Sequence, residues 1–144
     1  GVASITPLVA ERSVLKLKGE RADKKLAHWQ AVAVAACEQC GRNRVPVVHD
    51  AVDLAGWVRA HPQPPADPAA PLRLLLSLRE GTRPLLQAAA GAGPVWVLSG
   101  PEGGLSAAEE ALAVQHGFAP TTLGPRVLRA ETAPLAALAA LTLA

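Results

Sequence analysis

The chain has 144 residues, of which 50% are hydrophobic and 18% are charged, with a net charge of +2. These values indicate one globular domain and exclude two ordinary domains or a disordered chain. Aromatic residues account for only 3% of the chain, which argues against RNA recognition by several aromatic rings on a sheet face.

The first third of the chain predicts a strand, a helix and a second strand. A short buried strand is expected over Ser4–Val9, which is mostly apolar. Asp23 is a favourable N-cap for a helix that runs to about Cys40, with Gly41 as its stop. The apolar side of this helix comprises Leu26, Trp29, Val32, Val34 and Ala36. The second strand is expected over Val45–His49.

The rest of the chain predicts strands that alternate with helices. A helix capped by Asp50 leads into His61–Pro71, whose five prolines exclude a helix or a central strand. Leu72–Leu78 and Pro94–Ser99 are typical of parallel strands that are covered on both faces. The remaining predicted elements are a helix around Thr82–Ala90, a helix from the capping box Ser106–Glu109 to about Gly117, a short strand before Leu123 and a final helix from about Thr132. This alternation predicts an α/β domain with a mainly parallel sheet flanked by helices.

The sequence contains no pattern for membrane insertion, secretion or metal binding. Its longest apolar stretches fall short of the roughly 20 residues that cross a bilayer, and the N-terminus lacks a signal-peptide pattern. Cys37 and Cys40 are too few for a four-ligand zinc site; a redox pair is an alternative to two small residues near a helix end. We therefore expect a cytoplasmic protein with no membrane partner and no metal. The chain contains no Met, so we also expect further residues upstream of Gly1.

Basic residues are concentrated near the N-terminus. Between Arg12 and Arg44, eight Lys and Arg residues accompany three acidic residues. Such a patch suits a polyanion, because each phosphate that it neutralises releases condensed counterions. A solvated helix face is the alternative, and charge alone does not decide between the two.

The loop Gly100–Gly104, with the sequence Gly-Pro-Glu-Gly-Gly, directly follows a predicted strand. Open α/β sheets bind ligands at this position, and glycines let a ligand approach the backbone closely. Glu102 would repel a phosphate and fits better a ligand that offers donors, such as ribose hydroxyls or an amine. The loop matches neither a dinucleotide fingerprint nor a P-loop. A structural tight turn is the alternative.

A second polar loop, residues 123–133, follows the last predicted strand. Arg126 and Arg129 lie three residues apart and would share one face of a helical turn. Glu131 opens the last helix, where an acidic residue interacts favourably with the helix dipole. The alternative is a charged turn in which Arg129 pairs with Glu131 or Glu102.

Four segments together resemble the RsmE family of 16S ribosomal RNA uridine-N3 methyltransferases, which belong to the SPOUT (trefoil-knot) class. In the family's order, they are residues 1–7 (GVASITP), 29–42 (ending in EQCGR), 100–109 (beginning GPEGGLS) and 123–133 (LGPRVLRAETA). The last two are long and specific. Leu72–Gly81 is the weak match, because the family usually has an acidic or His-Pro element after this strand and the chain has Ser77-Leu78-Arg79-Glu80.

The resemblance implies a SPOUT methyltransferase fold with a deep C-terminal trefoil knot, S-adenosylmethionine as cofactor and a homodimer formed through the knot region. It implies methylation of N3 of a specific uridine in 16S rRNA of the assembled small ribosomal subunit. Residues 1–144 would form the catalytic domain, and the family's N-terminal PUA-like RNA-binding domain would be absent from the chain, in agreement with the lack of Met.

The resemblance also suggests which residues perform the reaction. Loss of the uridine N3 proton places negative charge on O2 and O4, which a nearby cation would stabilise. Arg129 is the first candidate for this cation, Arg126 would support it, and Glu131 is a candidate proton acceptor. The cofactor pocket is assigned to Leu98, Gly100, Glu102, Gly103, Gly104, Leu123, Gly124, Val127 and Leu128. Contacts with RNA phosphates are assigned to Arg12, Lys16, Lys18 and Arg42.

Three other functions stay open. The chain could be a fragment of the same fold that binds S-adenosylmethionine or RNA without activity of its own, or a SPOUT methyltransferase that acts on another RNA. A nucleotide enzyme on a doubly wound sheet is the third, and the absence of phosphate-binding motifs disfavours it.

Overall fold

Short strands and helices alternate along the chain in the computed structural model, which describes residues 1–14 and 18–143. The elements, in chain order, are β1 (Ser4–Ile5), β2 (Leu8–Val9), α1 (Glu20–Cys40), β3 (Val47–Val48), β4 (Val52–Asp53), α2 (Leu54–Ala60), β5 (Leu72–Leu76), β6 (Arg83–Pro84), α3 (Leu85–Ala88), β7 (Val95–Leu98), α4 (Ala107–Gln115), β8 (Ala119–Thr122) and α5 (Thr132–Leu143).

The central sheet has four strands in the order β6-β8-β5-β7, and every pair in it is parallel. Two smaller parallel pairs, β1 with β3 and β2 with β4, complete the strand pairing of the described residues. The predicted α/β class with a mainly parallel sheet is therefore confirmed.

Successive residues of β5 enter different hydrophobic clusters, because side chains alternate between the two faces of a strand. Leu75 packs with Leu54 and Val58 of α2. Leu74 packs with Leu85 of α3 and Ala137 of α5. Both leucines are fully buried, and each such burial contributes roughly 1.5–3 kcal/mol to stability. Helices thus cover both faces of the sheet, as the continuous apolar run predicted.

The prediction of one buried strand over Ser4–Val9 is wrong. Two strands of two residues each occupy this segment, and they pair with different partners. Pro7 separates them; it has no N–H to donate to a ladder, and its carbonyl accepts from Val52 N at 3.1 Å. Ile5 is 45% exposed, so β1 is not a core strand.

Helix α1 begins three residues earlier than its predicted cap at Asp23. Gly19 is the N-cap, with φ 59° and ψ −137°, a backbone conformation that glycine adopts without steric cost. Its carbonyl accepts from the N–H groups of Ala22 and Asp23 at 3.0 and 3.2 Å. Asp23 instead lies in the first turn, where an acid interacts with the helix dipole. The predicted stop at Gly41 is confirmed, with φ 71°.

The predicted apolar side of α1 is only partly correct. Leu26 and Trp29 are half-buried and Cys37 is buried, at the three- and four-residue spacing of one helix face. Val32 and Val34 are 53% and 43% exposed, because they lie to either side of the face centred on Ala33. The third misassigned residue, Ala36, is also exposed.

Asp53, and not Asp50, caps α2. Its Oδ2 accepts from Gly56 N at 2.8 Å, which satisfies one of the free N–H groups of the first turn. Asp50 lies ahead of β4, a strand that the sequence did not predict. The helix expected around Thr82–Ala90 is shortened to α3, because its first residues pair with β8 as β6.

The predicted starts of the last two helices are confirmed. Ser106 Oγ accepts from Glu109 N at 3.1 Å, and Glu109 Oε2 accepts from Ser106 N at 2.9 Å, which completes the capping box of α4. Helix α5 begins at Thr132.

In the part of the chain that the structure describes, no helix is both long enough and apolar enough to cross a membrane. Nor do residues 1–14 and 18–143 contain a group of three or more His, Cys, Asp or Glu side chains placed to hold a metal ion.

Candidate functional site

A cavity of about 400 Å³ lies at the carboxyl ends of β8, β5 and β7, which are neighbours in the sheet. This volume is within the range of roughly 300–1,000 Å³ that small-molecule sites occupy. The two polar loops predicted from the sequence follow β7 and β8, and β5 lies between those strands. The end of β5 at Leu76 and the following residues Ser77 and Leu78 therefore add a third wall.

The wall after β7 consists largely of backbone. Gly104 N donates to Pro101 O at 2.8 Å across a tight turn, and Gly104 has φ 73°, in the left-handed region that favours glycine. A Cβ on Gly100 would lie 3.1 Å from Leu105 Cγ and 3.2 Å from Leu105 N. The loop therefore requires glycine at both positions for different reasons, and it exposes peptide groups to the cavity.

Arg12 belongs to the same wall, although it lies 91 residues away in the sequence. Its Nη1 donates to Gly103 O at 3.2 Å, and a Cβ on Gly103 would lie 3.2 Å from Arg12 Cβ. Arg12 lines the cavity, whereas Lys18 and Arg42 do not. Lys16 lies outside the described residues. The structure therefore does not gather the four predicted phosphate contacts around the cavity.

The loop after β8 turns at Gly124, where φ is 117°. Thr122 Oγ1 accepts from Gly124 N and donates to Gly124 O, each at 3.1 Å. This turn directs the following residues along the cavity, whose lining includes Leu123, Gly124, Arg126, Val127, Leu128, Ala130 and Ala133 of this loop.

The two arginines of this loop occupy different places. Arg126 is exposed and lines the cavity, whereas Arg129 is exposed and does not. The segment between them is not helical, so the helical turn in which they would share one face is not formed. The Arg129 carbonyl accepts from Thr132 N and Ala133 N at 2.9 Å, which joins its backbone to the start of α5. Glu131 is exposed, also outside the cavity lining.

The cofactor residues predicted from the sequence line the cavity, with the exception of Leu98. Leu98 is 5% exposed and packs in the cluster that contains Leu75 and Phe118. As the last residue of β7, it points to the core, because strand side chains alternate in direction.

The sequence did not identify the network around Ser77. Ser77 is buried, its N donates to Thr121 O at 3.0 Å, and its hydroxyl accepts from Arg79 N at 3.2 Å. Arg79 forms an ion pair with Glu110, which also lines the cavity. The signal for this wall was the departure from the family pattern after β5, where Ser77 stands in place of an acidic or His-Pro element.

Charges of both signs line the cavity. Arg12 and Arg126 provide positive charge, and Glu102 and Glu110 provide negative charge. A polyphosphate would meet the like charge of the Glu102 carboxylate here, which disfavours it, whereas Arg79 already balances the charge of Glu110. The balance instead suits a ligand that carries both an anionic and a cationic group.

The chain matches a family model described as an RNA methyltransferase domain over residues 1–142. Among curated relatives, the ribosomal RNA small subunit methyltransferase E of Bacillus subtilis is 36% identical over 99% of this chain and 56% of its own length. The protein with the same name from Buchnera aphidicola of Schizaphis graminum is 33% identical over 98% of this chain and 54% of its own length. The chain thus spans about half the length of these relatives.

A solved structure shares both the sequence pattern and the fold. The crystal structure of a ribosomal RNA small subunit methyltransferase E from Neisseria gonorrhoeae, bound to S-adenosylmethionine, superposes with a TM-score of 0.84 at 40% identity. The match covers 98% of this chain and 55% of that chain. The fold, the motifs and the family model agree, and the chain belongs to the RNA methyltransferase domain family, with the resemblance to RsmE proteins confirmed.

Proposed function

We propose that this chain is the S-adenosylmethionine-binding catalytic domain of an enzyme that methylates N3 of a uridine in small-subunit rRNA. The observation that carries the proposal is the cavity at the carboxyl ends of β8, β5 and β7, which the two family loops line. The relatives named above are rRNA small subunit methyltransferases, and one of them was crystallised with S-adenosylmethionine. The substrate implies a cytoplasmic protein.

The residues present fit that cofactor. Gly100, Gly103 and Gly104 line the cavity without side chains, so a ligand can approach the backbone there. S-adenosylmethionine carries a carboxylate together with an ammonium and a sulfonium group, and the cavity lining offers Arg126 and Glu102. Arg12 and Glu110 also line the cavity, where Arg12 donates to Gly103 O and Glu110 pairs with Arg79. The Glu102 carboxylate can accept hydrogen bonds from ribose hydroxyls, as proposed from the sequence.

When bound, S-adenosylmethionine supplies a methyl group that its sulfonium already activates. The chain's own residues must orient the acceptor and stabilise the charge that develops on uridine O2 and O4 as N3 loses its proton. Arg126 is the arginine of the second loop that lines the cavity, so we assign this charge stabilisation to it first and keep Arg129 as the second candidate. Glu131, exposed just ahead of α5, is the proposed proton acceptor.

The proposal includes the assembly that the resemblance implies. A homodimer through the knot region would cover Val127 and Leu135, which are apolar and 74% and 66% exposed in the single chain. Burial of such side chains on association is favourable. Light scattering tests this assembly: twice the mass of one chain is expected, and a monomeric mass at all concentrations contradicts it. The knot stays a prediction.

Substitution of Gly100 tests the cofactor site. Gly100→Ala is expected to weaken S-adenosylmethionine binding by about tenfold or more, because its Cβ would meet Leu105 Cγ and N at 3.1 and 3.2 Å and must shift the loop. Gly93→Ala is the matched control, since its Cβ would meet nothing within 4 Å. Titration calorimetry measures both affinities. Unchanged binding by Gly100→Ala would place the cofactor elsewhere, and no heat with the unsubstituted chain would contradict the cofactor assignment.

Methyl transfer tests the reaction itself. Small ribosomal subunits are incubated with labelled S-adenosylmethionine and with the protein that carries this domain. Methylation of N3 blocks Watson–Crick pairing, so reverse transcription of the rRNA is expected to stop at one uridine. Label in the rRNA without such a stop would support rRNA methyltransferase activity but contradict methylation at N3. Binding of the cofactor without any transfer would favour the alternative of a binding module.

A further inference from the structure

The carboxylate of Glu109 performs two tasks. Its Oε2 accepts from Ser106 N at 2.9 Å, as a capping-box glutamate does. Its Oε1 accepts from Glu11 N at 2.8 Å, across 98 residues of sequence. Glu109 is only 5% exposed, so water has little access to either hydrogen bond. Helix capping requires the first bond alone, and the second bond fastens a distant segment to the start of α4.

That distant segment is the turn Ala10–Ser13. Ser13 N donates to Ala10 O at 3.1 Å, and Ala10 N donates to Ser13 Oγ at 2.9 Å. Ala10 is buried in the cluster that contains Leu54 and Leu98. The turn is therefore closed on itself and anchored on one side by packing, while the bond from Glu11 N to Glu109 anchors its outer side.

Arg12 lies in this turn directly after Glu11, and its side chain contacts the glycine loop. Its Nη1 donates to Gly103 O at 3.2 Å, and only the absence of a side chain at Gly103 permits the close approach of Arg12 Cβ. Glu109 thus connects two segments that border the cavity: the start of α4, which the glycine loop precedes, and the turn whose arginine holds that loop.

We propose that Glu109 is a positioning residue for cofactor binding, because it fastens the Ala10–Ser13 turn so that Arg12 holds the Gly100–Gly104 loop in shape. The inference rests on the proposed function, since it assigns the Gly100–Gly104 loop to the cofactor. It gives Arg12 a role besides the predicted contact with RNA phosphates, since its guanidinium donates to a backbone carbonyl of the cofactor loop.

Glu109→Gln is the informative variant, because it preserves shape but leaves one acceptor oxygen in place of two. One of the two N–H groups, Ser106 N or Glu11 N, then faces an amide NH₂. Ser106→Ala is the matched control, since it removes the other bond of the capping box and leaves the Glu11 bond intact. Because the glutamine amide can turn either way, Glu109→Ala, which removes both acceptors, is measured as a third variant: it releases the turn, which Ser106→Ala cannot do.

The first measurement needs no cofactor. Hydrogen exchange of the peptide that covers residues 100–104 is expected to accelerate by about tenfold in Glu109→Gln, as one buried hydrogen bond is lost. It is expected to stay within about twofold in Ser106→Ala. Equal acceleration in Glu109→Gln, Glu109→Ala and Ser106→Ala would reduce Glu109 to a helix cap and overturn the inference. This result is independent of whether the chain binds S-adenosylmethionine, so the two proposals fail separately.

The second measurement is a double-mutant cycle on S-adenosylmethionine affinity. Glu109→Gln and Arg12→Ala are each expected to weaken binding by about tenfold, and the double variant hardly more than either alone, because they act through one chain of contacts. Ser106→Ala is expected to retain the affinity within about twofold. Additive losses, or an equal loss in Ser106→Ala, would contradict positioning through Arg12.

Discussion

Replacing Arg126 by alanine is expected to lower kcat for rRNA methylation by about 100-fold, because removal of one group that stabilises a developing oxyanion costs roughly 10²–10³ in rate. Arg126 lines the cavity, and within the described residues its side chain joins no ion pair. Its charge is therefore available to a substrate. Arg126→Lys keeps the charge but loses the planar fork of donors, so it is expected to recover only part of the rate.

The measurement is the steady-state rate with small ribosomal subunits, in the protein that carries this domain, with kcat and KM determined separately. A loss confined to KM would make Arg126 a binding residue instead of a stabiliser of the transition state. Arg59→Ala is the control, because Arg59 is exposed on α2 and does not line the cavity.

The same assay ranks Arg126 against Arg129. The sequence favoured Arg129 as the cation, and the structure places Arg126, not Arg129, in the cavity lining. We therefore expect a smaller loss of kcat for Arg129→Ala than for Arg126→Ala. The reverse order would return the role to Arg129, and unchanged rates in both variants would contradict electrostatic stabilisation by this loop.

Features set by neighbouring residues could be predicted from the sequence. The capping box at Ser106, the stop at Gly41 and the start of α5 at Thr132 all depend on bonds within about four residues. The strands β5 and β7 follow from runs that are apolar except for Arg73, as a sheet covered on both faces requires. The N-cap at Gly19 shows the limit of this reasoning: a good side-chain cap at Asp23 does not fix where a helix begins, because glycine can turn the chain earlier.

Features set by distant residues could not be predicted in this way. The bond between Glu11 N and Glu109 spans 98 residues, and no spacing pattern encodes it. The strand order also lies beyond local patterns, so the wall around Ser77 became visible only when β5 was found between β7 and β8. The glycine loop was predictable because its conformation restricts residue type. Whether Leu98 and Arg129 line the cavity depends on the direction of their side chains, which the sequence does not show.

A second large effect is expected at Arg73, a nearly buried arginine at the opposite end of β5 from the cavity. Its Nη1 donates to the carbonyls of His61 and His116 at 2.7 and 2.8 Å, and its Nη2 donates to Pro62 O at 3.1 Å. It thereby joins the start of the proline-rich connector to the end of α4. In the described residues no carboxylate pairs with it.

Burial of Arg73 disfavours its positive charge, and nearby aromatic rings partly compensate for that cost. Desolvation by burial lowers the pKa of the guanidinium, and its Nε is buried without a hydrogen-bond partner. The guanidinium carbon lies 5.0 Å from the Trp96 ring centre and 5.7 Å from that of Phe118, at distances where aromatic faces attract a cation. Arginine remains protonated at all ordinary pH values, so we expect its contribution to stability to be constant between about pH 5 and 9.

Arg73→Met is expected to lower the free energy of unfolding by about 3 kcal/mol. The substitution relieves the desolvated charge, but it leaves three backbone carbonyls without their donors, at a cost of roughly 1–3 kcal/mol for each that stays buried. The cost of leaving the carbonyls unpaired therefore exceeds the free energy gained by removing the desolvated charge. Arg73→Lys keeps the charge but has neither the fork nor the flat face of the guanidinium, so an intermediate loss of stability is expected.

Arg79→Met is the control, because Arg79 is half exposed in its ion pair with Glu110 and surface ion pairs contribute about 0–1 kcal/mol to stability. Urea denaturation measures all three; an Arg73→Met variant as stable as the unsubstituted chain would show that desolvation of the charge outweighs its three hydrogen bonds.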